Sequence, residues 1–436
     1  LPTRKPIASK PTTDSIMRLL LLLLFVPLSL FAQLQQVGHL SYAPASLAGC
    51  WHHVDSLNNE YALVGTSWGL SIVDVTNPAQ PVQRFAVPGL PNNWREVKTW
   101  NGFAYVSTEA NNSGITIVDL RSLPDTIAWK TWFGPGTDTL IRRSHALACA
   151  DGHLYIFGGT QWGTVICDLA DPWNPEVKSI YNKEYVHDGY IRGDTLWASE
   201  IYAGQFSVFD ISDKTNPVLL ATQPTPGRFN HNSWLSDNGR FLFTTDEKPN
   251  TPLGAYDISD LDNITLLDIY YPSKRPTFEV HNVRVLNDFL INPSYGGQLT
   301  IVDANRPDNL IETAHVSLGN SLVWDATPYL PSGIVVATAR NEGLFLFQPT
   351  YQRAAYLEGR VTDAATGTPL AKVKVVVQNT SNSDVTRPDG TFKTGAAQQG
   401  TYSLQVGKIG YRPLTVSDVV LKTGETTWLE LTLEKF

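Results

Sequence analysis

Apolar residues along this chain come in short bursts broken by polar turns, and one such unit repeats. Residues 70–82 read LSIVDVTNPAQPV: an apolar strand, an aspartate, a polar turn closed by Asn77-Pro78, and a return strand from Pro81. The same order recurs as ITIVDLRSLP at 115–124, VICDLADPWNP at 165–175 and FSVFDISDKTNP at 206–217. It returns as GAYDISDLDNI at 254–264 and LTIVDANRPDN at 299–309. The aspartates are Asp74, Asp119, Asp168, Asp210, Asp257 and Asp303, spaced by 45, 49, 42, 47 and 46 residues. A steady period of that size, with room for four short strands, predicts propeller blades. No segment carries a helical period, so the chain is expected to be all-β.

A seventh, worn repeat spans 320–350. It keeps two apolar strands (334–339 and 343–347) but lacks the aspartate and a fourth strand. An orphan strand at 34–42 can supply that strand. A seven-bladed β-propeller over 34–350, closed by the N-terminal strand, leaves no open sheet edge. A linker at 351–355 follows. From 356 to 436, alternating strands separated by Thr-Gly, Asp389-Gly390 and Gly-Tyr turns predict a small β-sandwich.

The repeated aspartate has a structural job available: its carboxylate can accept backbone N–H groups of the turn that follows. Calcium is the alternative, because Asp168 with Asp171, and Asp210 with Asp213, place paired acids in one loop.

Length and composition (436 residues, 42% apolar, 17% charged) suit two domains with a substantial core. The formal charge of −8 and scattered basic residues argue against a nucleic-acid partner. Met17, the single methionine, is followed by Arg18, an apolar run from 19 to 31 and the small residue Ala32. That order predicts a secretory signal peptide cleaved after Ala32, with residues 1–16 an over-extended start. The run is too short for a transmembrane span, and Pro27 interrupts it. Residues 1–32 hold four basic residues against one acid, so their removal takes the charge from −8 to −11. The expected product is exported: periplasmic, cell-surface or extracellular. Three cysteines are an odd count and read as buried free thiols.

Aligning the repeats on their second strands brings out one position of the first strand. Counting nine back from Ala62, Ala104, Leu154, Leu196 and Leu290 gives His53, Arg95, His145, His187 and His281. An extra turn residue in the fifth repeat makes the equivalent His231, and the seventh repeat has Trp324. First strands line a propeller's channel, so these side chains are expected to ring one mouth. Their neighbours Asp188, Asn232, Asn282 and Asp325 follow them there, with Glu96 as a compensating acid. Loops after the second strands add Trp68, Glu109, Trp162, Glu200, Tyr202, Asp246, Glu247, Tyr295, Arg340 and Glu342. Imidazoles with carboxylates suit a transition metal, for which His187, His231 and His281 are the candidate ligands. Exposed aromatics beside carboxylates suit a small molecule, a glycan or a protein segment. Phosphate-loop and dinucleotide motifs are absent from the sequence.

The repeated L-x-I-V-D strand resembles the LVIVD repeat. The ordered motifs GLSIVDVTNPAQPV, NNWREVKTWNGFAYVSTEA, GITIVDL, YVHDGYIRGDTLWASEI and HNSWLSDNGRFLFTTDE are similar to the bacterial choice-of-anchor B family. That resemblance covers 34–350 and implies a secreted or surface propeller, without implying an activity. The stretches LEGRVTDAATGTPLAKVKVVV, TRPDGTF and GTYSLQVGKIGYRPL resemble the carboxypeptidase regulatory-like domain, a transthyretin-like accessory sandwich. No histidine precedes a glutamate by three residues, so the zinc pair of the catalytic carboxypeptidases is missing. These features lead to the expectation of a binding protein with a ligand site at one channel mouth. A metal-dependent hydrolase or lyase using the same cluster is the alternative.

Overall fold

The computed structural model describes residues 34–136, 140–272 and 277–436. The signal-like segment 17–32 lies outside these residues. Seven antiparallel sheets follow one another along the chain, and the innermost strands of neighbouring blades touch in a closed ring. Blades 1 to 6 span 47–88, 97–132, 146–181, 188–224, 230–270 and 279–317. Blade 7 takes three strands from 323–349 and its outer strand from Leu34–Leu40, which pairs antiparallel with Gly343–Pro349. The strand Leu34–Leu40 thus closes the ring.

The second strand of each blade packs sheet against sheet on both faces. Glu60–Thr66 is buried throughout its length. Tyr61, Leu63, Leu70 and Ile72 of blade 1 interlock with Val97, Ala104, Val106 and Val118 of blade 2. Burying one such aliphatic side chain contributes about 1.5–3 kcal/mol, which is why these strands read as unbroken apolar runs.

All six repeated aspartates accept the backbone N–H two residues on: Thr76, Arg121, Ala170, Ser212, Ser259 and Asn305, at 2.7–3.1 Å. Asp171 and Asp213 are likewise engaged by the N–H groups of Trp173 and Thr215. The carboxylates suggested for calcium therefore already staple their own turns.

Asp303, the sixth of the series, has a second task. It is fully buried and also accepts from the Arg353 guanidinium (2.7 Å), the Ala354 N–H (2.7 Å) and the Tyr356 hydroxyl (2.7 Å). The linker is docked here, with Arg353 lying 4.3 Å from the Phe289 ring. Beyond it, Ala355–Asp363 pairs with Thr391–Ala396 and Thr426–Leu433, and a second, four-stranded sheet completes the sandwich. Arg306 pairs with Glu358 (2.7 Å), Lys393 with Asp308, and Asn309 donates to the Thr394 carbonyl (3.0 Å), so the sandwich is bound to blade 6.

Among the described residues no helix is long and apolar enough to cross a membrane. Cys50, Cys149 and Cys167 are free thiols, and burial pushes all three above their ordinary pKa.

Candidate functional site

Four consecutive blades bring one imidazole each to the same end of their innermost strands. Ring centroids run His145–His187 3.8 Å, His187–His231 4.5 Å and His231–His281 4.1 Å, and Trp324 continues the arc 4.8 Å beyond His281. Local backbone irregularities aim these side chains. The strand pairing slips at His231 and again at Trp324, and the first strand of blade 6 is broken between Val280 and Arg284, around His281. Such bulges re-aim a side chain that strict alternation would send elsewhere.

Two donor triads share His231. The ligand atoms of His145, His187 and His231 lie within 4.8 Å of one another, as do those of His231, Glu247 and His281. Glu247 approaches His281 Nε2 at 3.6 Å and His231 Nε2 at 3.9 Å. Glu109 contacts His145 Nδ1 at 2.6 Å, and His281 Nδ1 sits 2.5 Å from the Trp324 carbonyl. His187 Nε2 and His231 Nδ1 are buried without a hydrogen-bond partner. An unpaired buried polar atom costs about 1–3 kcal/mol, so these two nitrogens disfavour the fold unless a ligand meets them.

The electrostatics follow from burial and neighbours. Burial, then the adjacent imidazoles, hold His187 well below the usual imidazole range. Burial and His231 do the same to His281. Burial also lowers His231, against the pull of Glu247 and Asp188. Burial acts on His145 in the same sense, but the Glu109 carboxylate outweighs it and leaves His145 above its ordinary value. That contact in turn lowers Glu109. Three neutral imidazoles with free lone pairs beside one chargeable imidazole form a donor set suited to a soft or borderline cation.

Behind the rim lies a collar of polar side chains. Asp325 accepts from Arg284 (2.9 Å) and Asn282 (3.0 Å), and Asp188 accepts from Asn232 (2.7 Å). Glu96 accepts from the Trp324 indole (3.2 Å), and its carboxyl is pushed up to about 7 by burial and then by Asp325. Blade 1 contributes the Cys50 N–H, which donates to Asp325 (3.3 Å), and Gly49. A Cβ on it would stand 2.2 Å from a Glu96 carboxylate oxygen, so a glycine is needed for Glu96 to lie against the backbone.

Not every expected residue joins the site. His53 pairs with Tyr61 at the turn end of its strand, away from the histidine rim. The first turn of blade 1 occupies 55–59, where blade 2 needs only 101–102, so the nine-residue count falls short. The slot belongs to Ala48 and Gly49. Arg95 does occupy the repeat position, but it turns back to donate to the Thr66 and Leu90 carbonyls. Glu200 is buried in its own hairpin, accepting from Gln205. Asp246 accepts from the Thr225 hydroxyl and from the N–H groups of Gly227 and Phe229, which makes it a loop staple. Tyr202 is exposed and stacks on Trp162 at 6.1 Å, with Tyr185 4.8 Å from Tyr202 and 6.1 Å from His187. Sequence reasoning left out Arg284, Lys98 and Trp51 altogether. Their signal is alternation: each lies two residues after a collar position (Asn282, Glu96, Gly49) and so shares its face.

The carboxypeptidase regulatory-like domain family matches residues 356–434, and the LVIVD repeat family matches 56–87 and 201–225. The chain is an LVIVD-repeat protein with a carboxypeptidase regulatory-like domain. Its fold is similar to that of a solved candidate 6-phosphogluconolactonase from Bacteroides uniformis, with TM-score 0.54 and 12% identity over 75% of this chain and 94% of that one. At that identity the likeness of the LVIVD-repeat protein to it concerns the fold alone. No curated protein matches the chain.

Proposed function

We propose that this LVIVD-repeat protein is an exported binding protein that holds a divalent transition-metal ion at the histidine mouth of its propeller. The ion would present a coordination position to a ligand entering past Trp162 and Tyr202. One observation carries this reading: donors from four separate blades form two triads whose ligand atoms lie within 4.8 Å of one another, while His187 Nε2 and His231 Nδ1 are buried and unpartnered. A metal would satisfy both nitrogens at once. His145, His187 and His231 form one ligand set and His231, Glu247 and His281 the other. Export rests on the charged–apolar–small order at 17–32.

A metal-dependent hydrolase or lyase is the second reading, favoured by the His145–Glu109 contact. An imidazole kept chargeable beside neutral ones can give or take a proton at a bound ligand.

Elemental analysis of the dialysed full chain is the test, with His187→Ala/His231→Ala alongside. The expected result is near-stoichiometric transition metal in the parent and less than about a tenth of it in the double variant, with unchanged far-UV dichroism. A folded parent that neither contains such a metal nor takes up zinc or copper in calorimetry overturns the proposal.

A further inference from the structure

The inner strands build a second chamber on the other side of the collar. One residue from each of six successive blades faces it: Trp51, Lys98, Ala148, Tyr190, Trp234 and Arg284. Each stands two residues after the collar position of its own strand, so alternation turns both to the channel. His187 and Tyr190 are three residues apart, which separates rim and chamber by about 10 Å along the strand. Tyr329, from the loop after the first strand of blade 7, completes the wall.

The chamber encloses about 260 Å³. Four rings form one side: Trp234 and Tyr329 are stacked (6.1 Å, 18°), with Tyr190 4.5 Å from Trp234 and Trp51 5.8 Å from Tyr329. Blade 3 supplies the opposite side with the small residues Ala148, Cys149 and Ala150. The wall residues Trp51, Lys98, Tyr190, Trp234 and Tyr329 are only half-buried, so the space opens to solvent.

Charge selects the occupant. Lys98 Nζ stands 4.5 Å over the Trp51 ring and the Arg284 guanidinium 4.8 Å over Trp234. The ring faces that attract a cation are thus already served by the protein's own cations. Arg284 is buried, bound to Asp325, yet its Nε has no partner. Lys98 has the Val97 carbonyl at 3.2 Å and its nearest carboxylate, Glu96, only at 3.8 Å. Asp188 is the one acid in the lining, and it is held by Asn232 and by the N–H of Gly189.

We propose that this chamber binds a small planar carboxylate, its ring system lying between the aromatic wall and Ala148–Ala150 and its carboxylate meeting Lys98. Pockets for drug-sized ligands begin near ~300 Å³, so the space suits one or two fused rings with an acid group. The proposal does not depend on a metal at the rim.

Calorimetry on the full chain with 2-naphthoate, its neutral isostere 2-naphthamide and the cation 2-naphthylmethylammonium tests it. A charged hydrogen bond in a partly desolvated site is worth at least about ten-fold in affinity. The acid should therefore bind saturably and at least ten-fold tighter than the amide, with the ammonium weakest. Lys98→Met should bring the acid down to the level of the amide and leave the amide unchanged, while Lys98→Arg keeps the preference. Trp234→Ala should weaken acid and amide together. Absence of acid binding at millimolar concentration, equal binding of acid and amide, preference for the ammonium, or indifference of a folded Lys98→Met protein would each overturn the proposal.

Discussion

The histidine rim and the aromatic chamber are made from the same innermost strands, a few residues apart, yet they follow opposite rules. The rim is uniform: four blades give the same side chain, and its polar atoms are buried and short of partners. The chamber is mixed: Trp, Lys, Ala, Tyr, Trp and Arg occupy equivalent places and leave an open, half-buried space. A repeat unit can thus be copied around a ring at one position and diversified at another, because alternation points both into the channel. The collar of Asp325, Arg284, Asn282, Asn232, Asp188 and Glu96 keeps the two spaces apart.

Breaking the collar should have the largest effect and should harm both sides. Asp325→Ala leaves the Arg284 guanidinium buried without its counter-charge, which typically costs about 3–5 kcal/mol. Denaturant unfolding would register that loss. A cost near zero would mean that the collar is not a structural divider and that rim and chamber are one cavity.

Acid should separate the two regions next. His187 and His281 are held below the usual imidazole range in the folded protein and titrate normally when it unfolds. The unfolded chain therefore binds more protons as pH falls below about 6.5, and stability falls with it. Each imidazole that stays neutral in the fold makes stability fall with a slope that rises from about 0.7 kcal/mol per pH unit at pH ~6.5 towards about 1.4 below it. Urea midpoints of metal-free protein between pH 7 and 5.5 should show that slope. It should shrink in His187→Ala/His281→Ala and persist in Trp234→Ala, which leaves those two imidazoles in place. An equal slope in all three proteins would refute the assignment.

Tyr356→Phe should touch neither region. It removes one hydroxyl from the buried Asp303 and should cost about 1–2 kcal/mol, visible in thermal unfolding. Metal uptake and naphthoate binding should stay as in the parent, which makes this variant the control for the other two.

The contrast between rim and chamber also explains what could be read in advance. The repeated aspartates announced the blades because each staples its own turn, a local device that leaves a local signature. Four imidazoles stood out because the same residue recurs at one offset. His53 misled because register depends on the length of the 55–59 turn, which counting does not see. Glu247 and Asp246 are neighbours on one loop, yet only Glu247 reaches the imidazoles, since Asp246 is drawn back by three donors. Trp51, Lys98 and Arg284 were silent for the opposite reason to the histidines: they share a place in space but no residue type.

Asp303 joins the ring to the module behind it, and that has a mechanical side. With a guanidinium, a main-chain amide and a phenol all gripping one carboxylate, the junction is a clamp and not a swivel. A pull on the sandwich would be delivered to blade 6, next door to the blade where the chain's two strands are zipped together. Traction there would load the seam of the ring directly, so tension on the accessory module has a short route to the mouths of the channel.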